Sequence, residues 1–243
     1  MTTRMGTVAL VLFLACAAAL TGCDSRSMVA EPAEKDASGA TASEALGLTL
    51  EAQYELAGDR YRELNDRLAA LQSEVFDDEW LDGSVSSEVV PGLGYALGGG
   101  LESDTRENSY YFTASRWHGS DQDLKPLVHE IARSWEARGW EVAEETSQVN
   151  GEVRAVATTD DGFWFSASEE RGRLELTGDT PVYWGSQLAL MEAIAERRDA
   201  ETEAGATWDT ADRDEKGHAY RLPGVYRPFP AWDAVPVGRD DEP

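Results

Sequence analysis

The sequence predicts an α+β fold, in which an antiparallel sheet carries a long N-terminal helix and two shorter helices on one face. Three observations support this class. Apolar residues recur at helical spacing over 50–75, a strand and a helix follow over 109–139, and turn residues divide 140–177 into short strands. Consecutive strands joined by tight turns form a meander, and amphipathic helices cover one of its faces. The predicted order is strand, helix and then a meander of strands.

The first element of the domain is a long helix, for which Thr49 is a suitable cap. Its apolar residues alternate at steps of four and three, so they share one helical face. These residues are Leu50, Tyr54, Ala57, Tyr61, Leu64, Leu68, Leu71 and Val75. Two interpretations stay open. The stripe packs on the protein's own sheet, or it forms a coiled-coil seam with a partner or a second copy.

A strand rich in aromatic and hydroxyl residues is predicted over 109–117, and a second helix follows it. Asp121 or Asp123 is the expected cap, and Pro126 then falls in the first turn, where proline is tolerated. Gly139 suits the C-terminal cap. The apolar face between these ends consists of Leu124, Leu127, Val128, Ile131 and Trp135.

Turn residues define the meander that follows. Asn150-Gly151 is the strongest hairpin signal, because both turn positions need positive φ. Asp160-Asp161-Gly162 and Arg171-Gly172 mark the next two turns. The strands that these turns bound are predicted over 140–149, 152–159, 163–168 and 173–177.

The N-terminus has the pattern of an export signal. Arg4 precedes an apolar run from Val8 to Leu20, which is shorter than the roughly 20 residues of a transmembrane helix. The sequence then reads Leu20-Thr21-Gly22-Cys23, which matches the bacterial lipobox. The match implies cleavage after Gly22 and a diacylglycerol on Cys23, which anchors the exported chain to the cell membrane. The alternative is an ordinary secretory peptide that is cut at small residues near Ala17.

These patterns divide the chain into four segments. Residues 1–22 are the predicted lipoprotein signal peptide, and residues 23–46 are the lipidated cysteine and a flexible, polar tether. Residues 47–198 form the α+β domain, whose last helix is predicted over 186–198. Residues 199–243 are an acidic tail with proline and aromatic residues, and this tail either lies over the domain or hangs free.

Composition limits the partners. The formal charge is −25, and removal of the signal leaves 20 basic and 46 acidic residues, or −26. This charge opposes binding to nucleic acid and to anionic head groups, and it favours cationic partners or a solvated surface. Neither of the two cysteines lies beyond Cys23, so disulfides, thiol catalysis and cysteine-based zinc sites are excluded from the predicted domain.

Residues 110–180 resemble the actinobacterial LppA-like lipoproteins, notably at the helix end Trp135–Trp140 and at a Thr177-Gly178-Asp179 turn. The order of signal, long helix, strand, helix and meander is similar too, and the resemblance covers roughly 48–185. It implies an α+β fold and a place in the cell envelope. It implies no mechanism, because the family has no established chemistry. Members carry a cysteine pair, one of them beside that turn, where this chain has Thr180.

Histidine and serine show no catalytic spacing. His118, His129 and His218 are isolated, and none belongs to an H-E-x-x-H pattern that places two metal ligands on one helix face. Ser186 lacks the second glycine of a G-x-S-x-G nucleophile elbow and suits a helix N-cap. The sequence therefore predicts no catalytic residue.

Acidic segments are the candidates for calcium sites. Residues 212–217 begin like an EF-hand loop, with aspartate at positions one and three and glycine at six. Lys216 takes position five, where an oxygen ligand is needed, and Pro223 takes position twelve instead of glutamate. The segment therefore does not match an EF-hand calcium loop. A looser acidic cluster consists of Asp77, Asp78, Glu79 and Asp82. We predict no metal site and no cofactor.

Aromatic residues are the candidates for ligand binding, since their rings stack on the sugars of envelope glycans. The candidates are Tyr110, Trp117, Trp164 and Trp184. Core and edge packing is the alternative explanation for the same residues. Alternation along one strand supports this alternative in part, because Phe163 and Phe165 share one face while Trp164 takes the other.

Three hypotheses follow for the function. The first is a non-enzymatic envelope lipoprotein, which is held at the membrane by its lipid and binds an envelope protein or a cell-wall glycan. The second is a hydrolase that acts on cell-wall or lipid substrates through scattered carboxylates. The third is a structural partner that associates through the apolar stripe of residues 50–75.

Overall fold

The computed structural model describes residues 33–82, 89–93, 100–120, 122–147, 151–205, 212–215 and 217–234. The predicted signal and Cys23 lie outside these ranges, as do Asp121, Asn150 and Lys216. The described helices are α1 (Ala42–Leu46), α2 (Leu50–Val75), α3 (Lys125–Ala137) and α4 (Gln187–Glu203), with a 3₁₀ turn at Trp232–Ala234. None of these helices combines the length and the apolar composition that crossing a bilayer requires.

Nine described strands form one antiparallel sheet. Seven of them follow the order β4-β5-β6-β7-β3-β1-β9, and the other two, β2 and β8, pair with the N-terminal end of β3. They are β1 (Trp80–Asp82), β2 (Val89–Pro91), β3 (Ser109–Gly119), β4 (Glu141–Thr146), β5 (Val153–Thr158), β6 (Trp164–Glu170), β7 (Arg173–Asp179), β8 (Tyr183–Trp184) and β9 (Tyr220–Arg221). The predicted α+β class, with its meander from β4 to β7, is confirmed. The hairpin between β6 and β7 turns through Arg171 and Gly172, both of which have positive φ.

The stripe on α2 packs against the protein's own sheet. Six of its residues are buried: Tyr54, Ala57, Tyr61, Leu64, Leu68 and Leu71. They face the centre of the sheet, where Gly178 of β7 lets the helix approach closely. A β carbon on Gly178 would lie 3.1 Å from Cδ1 of Leu64 and 2.9 Å from Cε1 of Phe165. These six side chains are thus not available as a coiled-coil seam.

The second predicted helix, α3, covers β4, β5 and β6 on the same face of the sheet. Its N-cap is Leu124, which makes no side-chain cap bond, so the prediction of Asp123 as the cap is wrong by one position. The carboxylate of Asp123 instead accepts a hydrogen bond from the amide of Lys125, at 3.1 Å. Gly139 follows the helix with φ +85°, as a C-terminal cap requires.

Residues 33–46 belong to the domain rather than to a flexible tether. Helix α1 begins with a capping box between Thr41 and Glu44. A separate small core contains Ala45, Leu101, Val182 and Trp184. Buried Asp36 accepts a hydrogen bond from the amide of Trp184 at 3.1 Å. The domain therefore includes this segment, which lacks the periodicity that would predict it.

The C-terminal part of the chain lies over the domain. Helix α4 continues through residue 203, so the predicted boundary at 199 falls inside it. In the C-terminal segment (residues 217–234), Tyr226, Phe229 and Trp232 are three positions apart and pack against α2. The hydroxyl of Tyr54 donates to the carbonyl of Pro230 at 3.0 Å. Of the two predicted alternatives for the tail, the first holds for this segment, which lies over the domain and does not hang free.

The predicted Thr177-Gly178-Asp179 turn is the end of β7 instead. These residues pair with Thr113–Ser115 of β3 on one side and with Trp164–Ser166 of β6 on the other. Pairing on both sides holds the backbone extended. Thr180 follows, fully buried, and its hydroxyl accepts from the amide of Phe112 at 3.0 Å and donates to the carbonyl of Pro181 at 2.9 Å.

Candidate functional site

The sheet face opposite the helices carries the candidate site. Since side chains alternate across a strand, the neighbours of the core residues Leu174, Leu176 and Gly178 on β7 point to this outer face. The outward residues there are Glu175, Thr177 and Asp179. Together with β3, β5, β6 and the end of β4, they line a groove of about 600 Å³. We call this the outer-face groove.

Strand register arranges the outer face of the sheet, on which the outer-face groove lies, in three cross-strand rows. The first row is Thr113, Asp179, Trp164 and Thr158. The second row is Ser115, Thr177, Ser166 and Val156. The third row is Trp117, Glu175, Ser168, Arg154 and Glu145. Hydroxyl groups are frequent in the first two rows, where Asp179 is the one charged residue, and charged residues dominate the third row, so this face is polar along its length.

Asp179 is the most unusual residue of the groove. It is only 7 % exposed, and its Oδ1 has no hydrogen-bond partner among the described residues. The hydroxyl of Thr113 bonds the carboxylate. Burial raises the pKa of Asp179 to about 6, although the bond from Thr113 and the charge of Arg154 act in the opposite direction. A buried carboxylate with an unsatisfied oxygen is a candidate for ligand binding.

The charge of the groove is strongly negative. Its lining contains six carboxyl groups and one guanidinium, that of Arg154. The carboxyl groups belong to Glu145, Glu152, Glu169, Glu170, Glu175 and Asp179. The guanidinium carbon of Arg154 lies 5.2 Å from the ring centre of Trp164, which places the cation over the aromatic floor. The groove therefore attracts cations and repels anions.

The structure does not bring the four predicted aromatic residues together. Trp164 and Trp117 lie on the outer face, but Trp164 is buried and Trp117 is half-buried, with Nε1 donating to Glu175 at 2.9 Å. Tyr110 points to the helical side of the sheet, where Arg60 donates to its hydroxyl. Trp184 is buried in the small core beside α1. No stacking groove is formed by these four residues, because strand alternation and the two cores separate them.

The histidines have structural partners, and so do two residues of the acidic cluster, Asp78 and Asp82. His118 bonds Asp78 at 2.8 Å, His218 bonds Asp214 at 3.0 Å, and His129 bonds Glu144. Asp82 pairs with the buried arginines Arg116 and Arg221. Within the described ranges, no three histidine, cysteine or acidic residues are grouped as metal ligands would be.

Ser186 takes the N-cap position of α4, as predicted, but its side chain makes no cap bond. Its amide donates to Oε1 of Gln53 at 2.9 Å. This bond ties the start of α4 to the start of α2, which gives Ser186 a structural role.

Asp179 is the residue that sequence reasoning missed. Alternation of Leu174 and Leu176 with Glu175 and Thr177 signals one polar face of β7, and that pattern assigns Asp179 to it. Its burial and its unsatisfied oxygen have no local signal, because they depend on β3 and β6.

Comparison of the chain with protein-family models, with curated proteins and with solved structures found no match. The resemblance to the LppA-like lipoproteins therefore stays a prediction.

Proposed function

We propose that this protein is an exported lipoprotein, anchored to the cell membrane through Cys23, whose domain binds a cell-wall glycan and catalyses no reaction. The anchor rests on the export signal and on the lipobox that ends at Cys23. The binding role rests on the outer-face groove. Asp179, which is buried there and has one carboxylate oxygen that receives no hydrogen bond from any described residue, is the observation that carries the proposal.

The chemistry of the groove suits a ligand rich in hydroxyl groups. Thr113, Thr177 and Ser166 form a band of hydroxyls that both donate and accept hydrogen bonds. Ionised Asp179 only accepts, and among the described residues its Oδ1 receives no hydrogen bond, so a ligand hydroxyl or ammonium that reaches the carboxylate would supply a further donor. Since Trp164 is 3 % exposed, its ring offers little stacking surface, and hydrogen bonds rather than ring stacking hold the ligand.

The spacing of carboxylates around Asp179 favours binding over hydrolysis at this residue. Glycoside hydrolysis needs two carboxyl groups roughly 5–9.5 Å apart. On the strands beside β7, the positions paired with Asp179 are Thr113 and Trp164, and neither carries a carboxyl group. The next outward carboxyl of β7 is Glu175, four residues away and therefore about 13 Å along the strand. The arrangement supports an acceptor for a ligand rather than an acid–base pair.

Anchoring is tested by metabolic labelling with a palmitate analogue in bacteria that express the full chain. We expect labelled protein in the membrane fraction, and no label on a Cys23→Ser variant. Label that persists on Cys23→Ser, or wild-type protein that is unlabelled and released to the medium, would contradict the anchor.

Binding is tested by co-sedimentation of the detergent-extracted lipoprotein with purified cell wall. We expect Asp179→Asn to weaken retention at least about tenfold, which corresponds to one strong hydrogen bond to a charged group. Glu130→Gln is the matched control, because Glu130 is an exposed carboxylate on the helical side of the sheet. Equal retention of Asp179→Asn and wild type, or release of soluble sugars from the wall, would contradict a binding role for the groove.

A further inference from the structure

The ligand class follows from the imbalance of charge in the outer-face groove. Arg154 is the one cation against six carboxyl groups in the lining. Arg154 acts on Asp179 through its charge. Oδ1 of Asp179 has no hydrogen-bond partner within the described part of the chain. One of these carboxylates, Glu170, also pairs with Arg171 at 3.5 Å. The lining still carries more carboxyl groups than cations, so the groove favours a cationic ligand over a neutral one and repels an anionic one.

A metal ion does not fit the groove. The residues paired with Asp179 are Thr113 and Trp164, so additional carboxylate ligands are missing from its row. Among all described residues, no cluster of three metal-ligating side chains occurs. Divalent cations prefer several oxygen ligands at short distance. The compensating charge therefore belongs to an organic cation.

An ammonium group matches the atoms that the groove presents. It has three donors and no acceptor, whereas the ionised carboxylate of Asp179 has only acceptors. Hydrogen bonds between charged partners are roughly twice as strong as neutral ones. The oxygens of Ser166 and Thr177, in the adjoining row, accept the remaining donors of the ammonium or bond the hydroxyls of the same sugar.

We propose that the groove selects amino sugars whose amine is free and protonated, with the ammonium at Asp179 and the sugar hydroxyls along Ser166 and Thr177. This inference rests on the proposed glycan-binding function and adds the selectivity of that site. Acetylation of the amine removes the charge and two of its donors, so the N-acetylated form of the same sugar is discriminated against. The volume of about 600 Å³ accommodates a short oligosaccharide.

The experiment is isothermal titration of the full lipoprotein in detergent with glucosamine oligomers and with N-acetylglucosamine oligomers of equal length. At pH 7 and low salt we expect the glucosamine oligomer to bind at least about tenfold more tightly, as charge-assisted hydrogen bonds imply. In Asp179→Asn the preference falls to about twofold or less, while Glu130→Gln keeps it. Equal affinities of wild type for the two oligomers would overturn the inference.

Acidification gives a second readout that needs no variant. Asp179 is faced by Arg154 from β5 and Tyr111 from β3, while β6 presents the uncharged Trp164 and Ser166. Between about pH 7 and pH 5 the carboxylate of Asp179 takes up its proton, whereas the amine of glucosamine, which titrates near neutral pH like an α-amino group, becomes more fully protonated. We expect the preference for glucosamine to disappear over this range. A preference that is unchanged at pH 5 would contradict the role of Asp179.

The outcomes separate the two proposals. If both oligomers bind equally and Asp179→Asn weakens both, the glycan-binding function stands and the selectivity for free amines falls. If neither oligomer binds and the cell wall does not retain the protein, both proposals fall. If neither oligomer binds but the wall still retains the protein through Asp179, only the amino-sugar inference is overturned.

Discussion

The backbone of Gly58 lies against the ring of Phe229, so closely that a β carbon on Gly58 would stand 2.9 Å from Cδ1 of that ring. The same ring packs on Tyr54 and Tyr61 of α2, with ring centres 4.8 Å and 5.4 Å away. Because Gly58 has no side chain, Phe229 of the C-terminal segment packs directly on the backbone of α2. The segment thus contributes aromatic packing to the main core.

Substitution of Gly58 by alanine tests the close contact between Gly58 and Phe229. Helix propensity alone would raise the free energy of unfolding by about 1 kcal/mol, because glycine is the poorer helix former. Overpacking against Phe229 costs about 1–3 kcal/mol, so we expect a net loss of about 1 kcal/mol in urea unfolding. Ser73→Ala, on the exposed side of α2, is the control and is expected to change stability little. An increase in the free energy of unfolding of Gly58→Ala would contradict this prediction, because it would mean that the C-terminal segment moves away from α2 without a loss of packing energy.

Arg197 holds the end of the C-terminal segment. Its guanidinium lies 3.7 Å from the ring centre of Trp232 and 4.8 Å from that of Tyr54, and its Nε donates to the carbonyl of Trp232 at 2.8 Å. We expect Arg197→Met, which keeps the bulk, to lower the free energy of unfolding by about 2–3 kcal/mol. Arg133→Met, at an exposed position of α3, should change it by less than about 0.5 kcal/mol. Chemical unfolding measures both, and equal effects would be inconsistent with this role.

Asp82 lies between two buried arginines, Arg116 and Arg221, which are 7 % and 6 % exposed. Burial lowers the pKa of Arg116, and the charge of Asp82 opposes that effect. Asp82→Ala removes the carboxylate that pairs with both buried arginines, and we expect a loss of about 3–5 kcal/mol in the free energy of unfolding. Asp59→Ala breaks only the exposed pair with Arg62 and should cost under about 1 kcal/mol. A loss below about 1 kcal/mol in Asp82→Ala would exclude a structural role for this network.

The pKa of Asp179, about 6 in the folded protein against 3.8 for the free side chain, makes stability depend on pH. The folded state holds the proton more tightly than the unfolded state does. Ionisation therefore destabilises the fold as the pH rises from about 4 to 6, and the full effect is present above this window.

We expect Asp179→Asn to unfold at higher urea concentration than wild type at pH 7, by up to about 3 kcal/mol, with the difference closing below about pH 4. Glu130→Gln, an exposed carboxylate of α3, should show no such pH-dependent gain. Thermal and urea unfolding at the two pH values measure the effect. A constant difference across pH would mean that Asp179 does not titrate in this window. A gain in stability on losing Asp179 would also fit a residue kept for binding.

Much of the fold was predictable because it depends on local pattern. The alternating steps of four and three between Leu50 and Val75 predict α2 with the bounds that it has. The turn at Arg171-Gly172 predicts the hairpin of β6 and β7, since both residues adopt positive φ. Segments without periodicity were not predictable. Residues 33–46 and 217–234 dock through contacts with distant parts of the chain, such as Asp36 with Trp184 and Phe229 with Tyr54, which no helix or strand pattern in the segments themselves predicts.

The candidate site was only half predictable. Strand alternation assigned Trp164 and the hydroxyl residues of β6 to a face other than that of Phe165, as the structure has them. It could not show that Tyr110 and Trp184 enter two different cores, nor that Asp179 is buried.

By itself, the sequence determined the α+β class, the long helix and the order of the meander, and it predicts the lipid anchor at Cys23. Only the tertiary structure distinguished Asp179 from the other polar residues of the outer face. Periodicity reports which face a side chain takes, because that depends on the backbone of its own strand. Burial, an unsatisfied oxygen and a raised pKa depend on what stands beside the residue. For Asp179 those neighbours are Thr113 and Trp164, which only the pairing of β7 with β3 and β6 brings together.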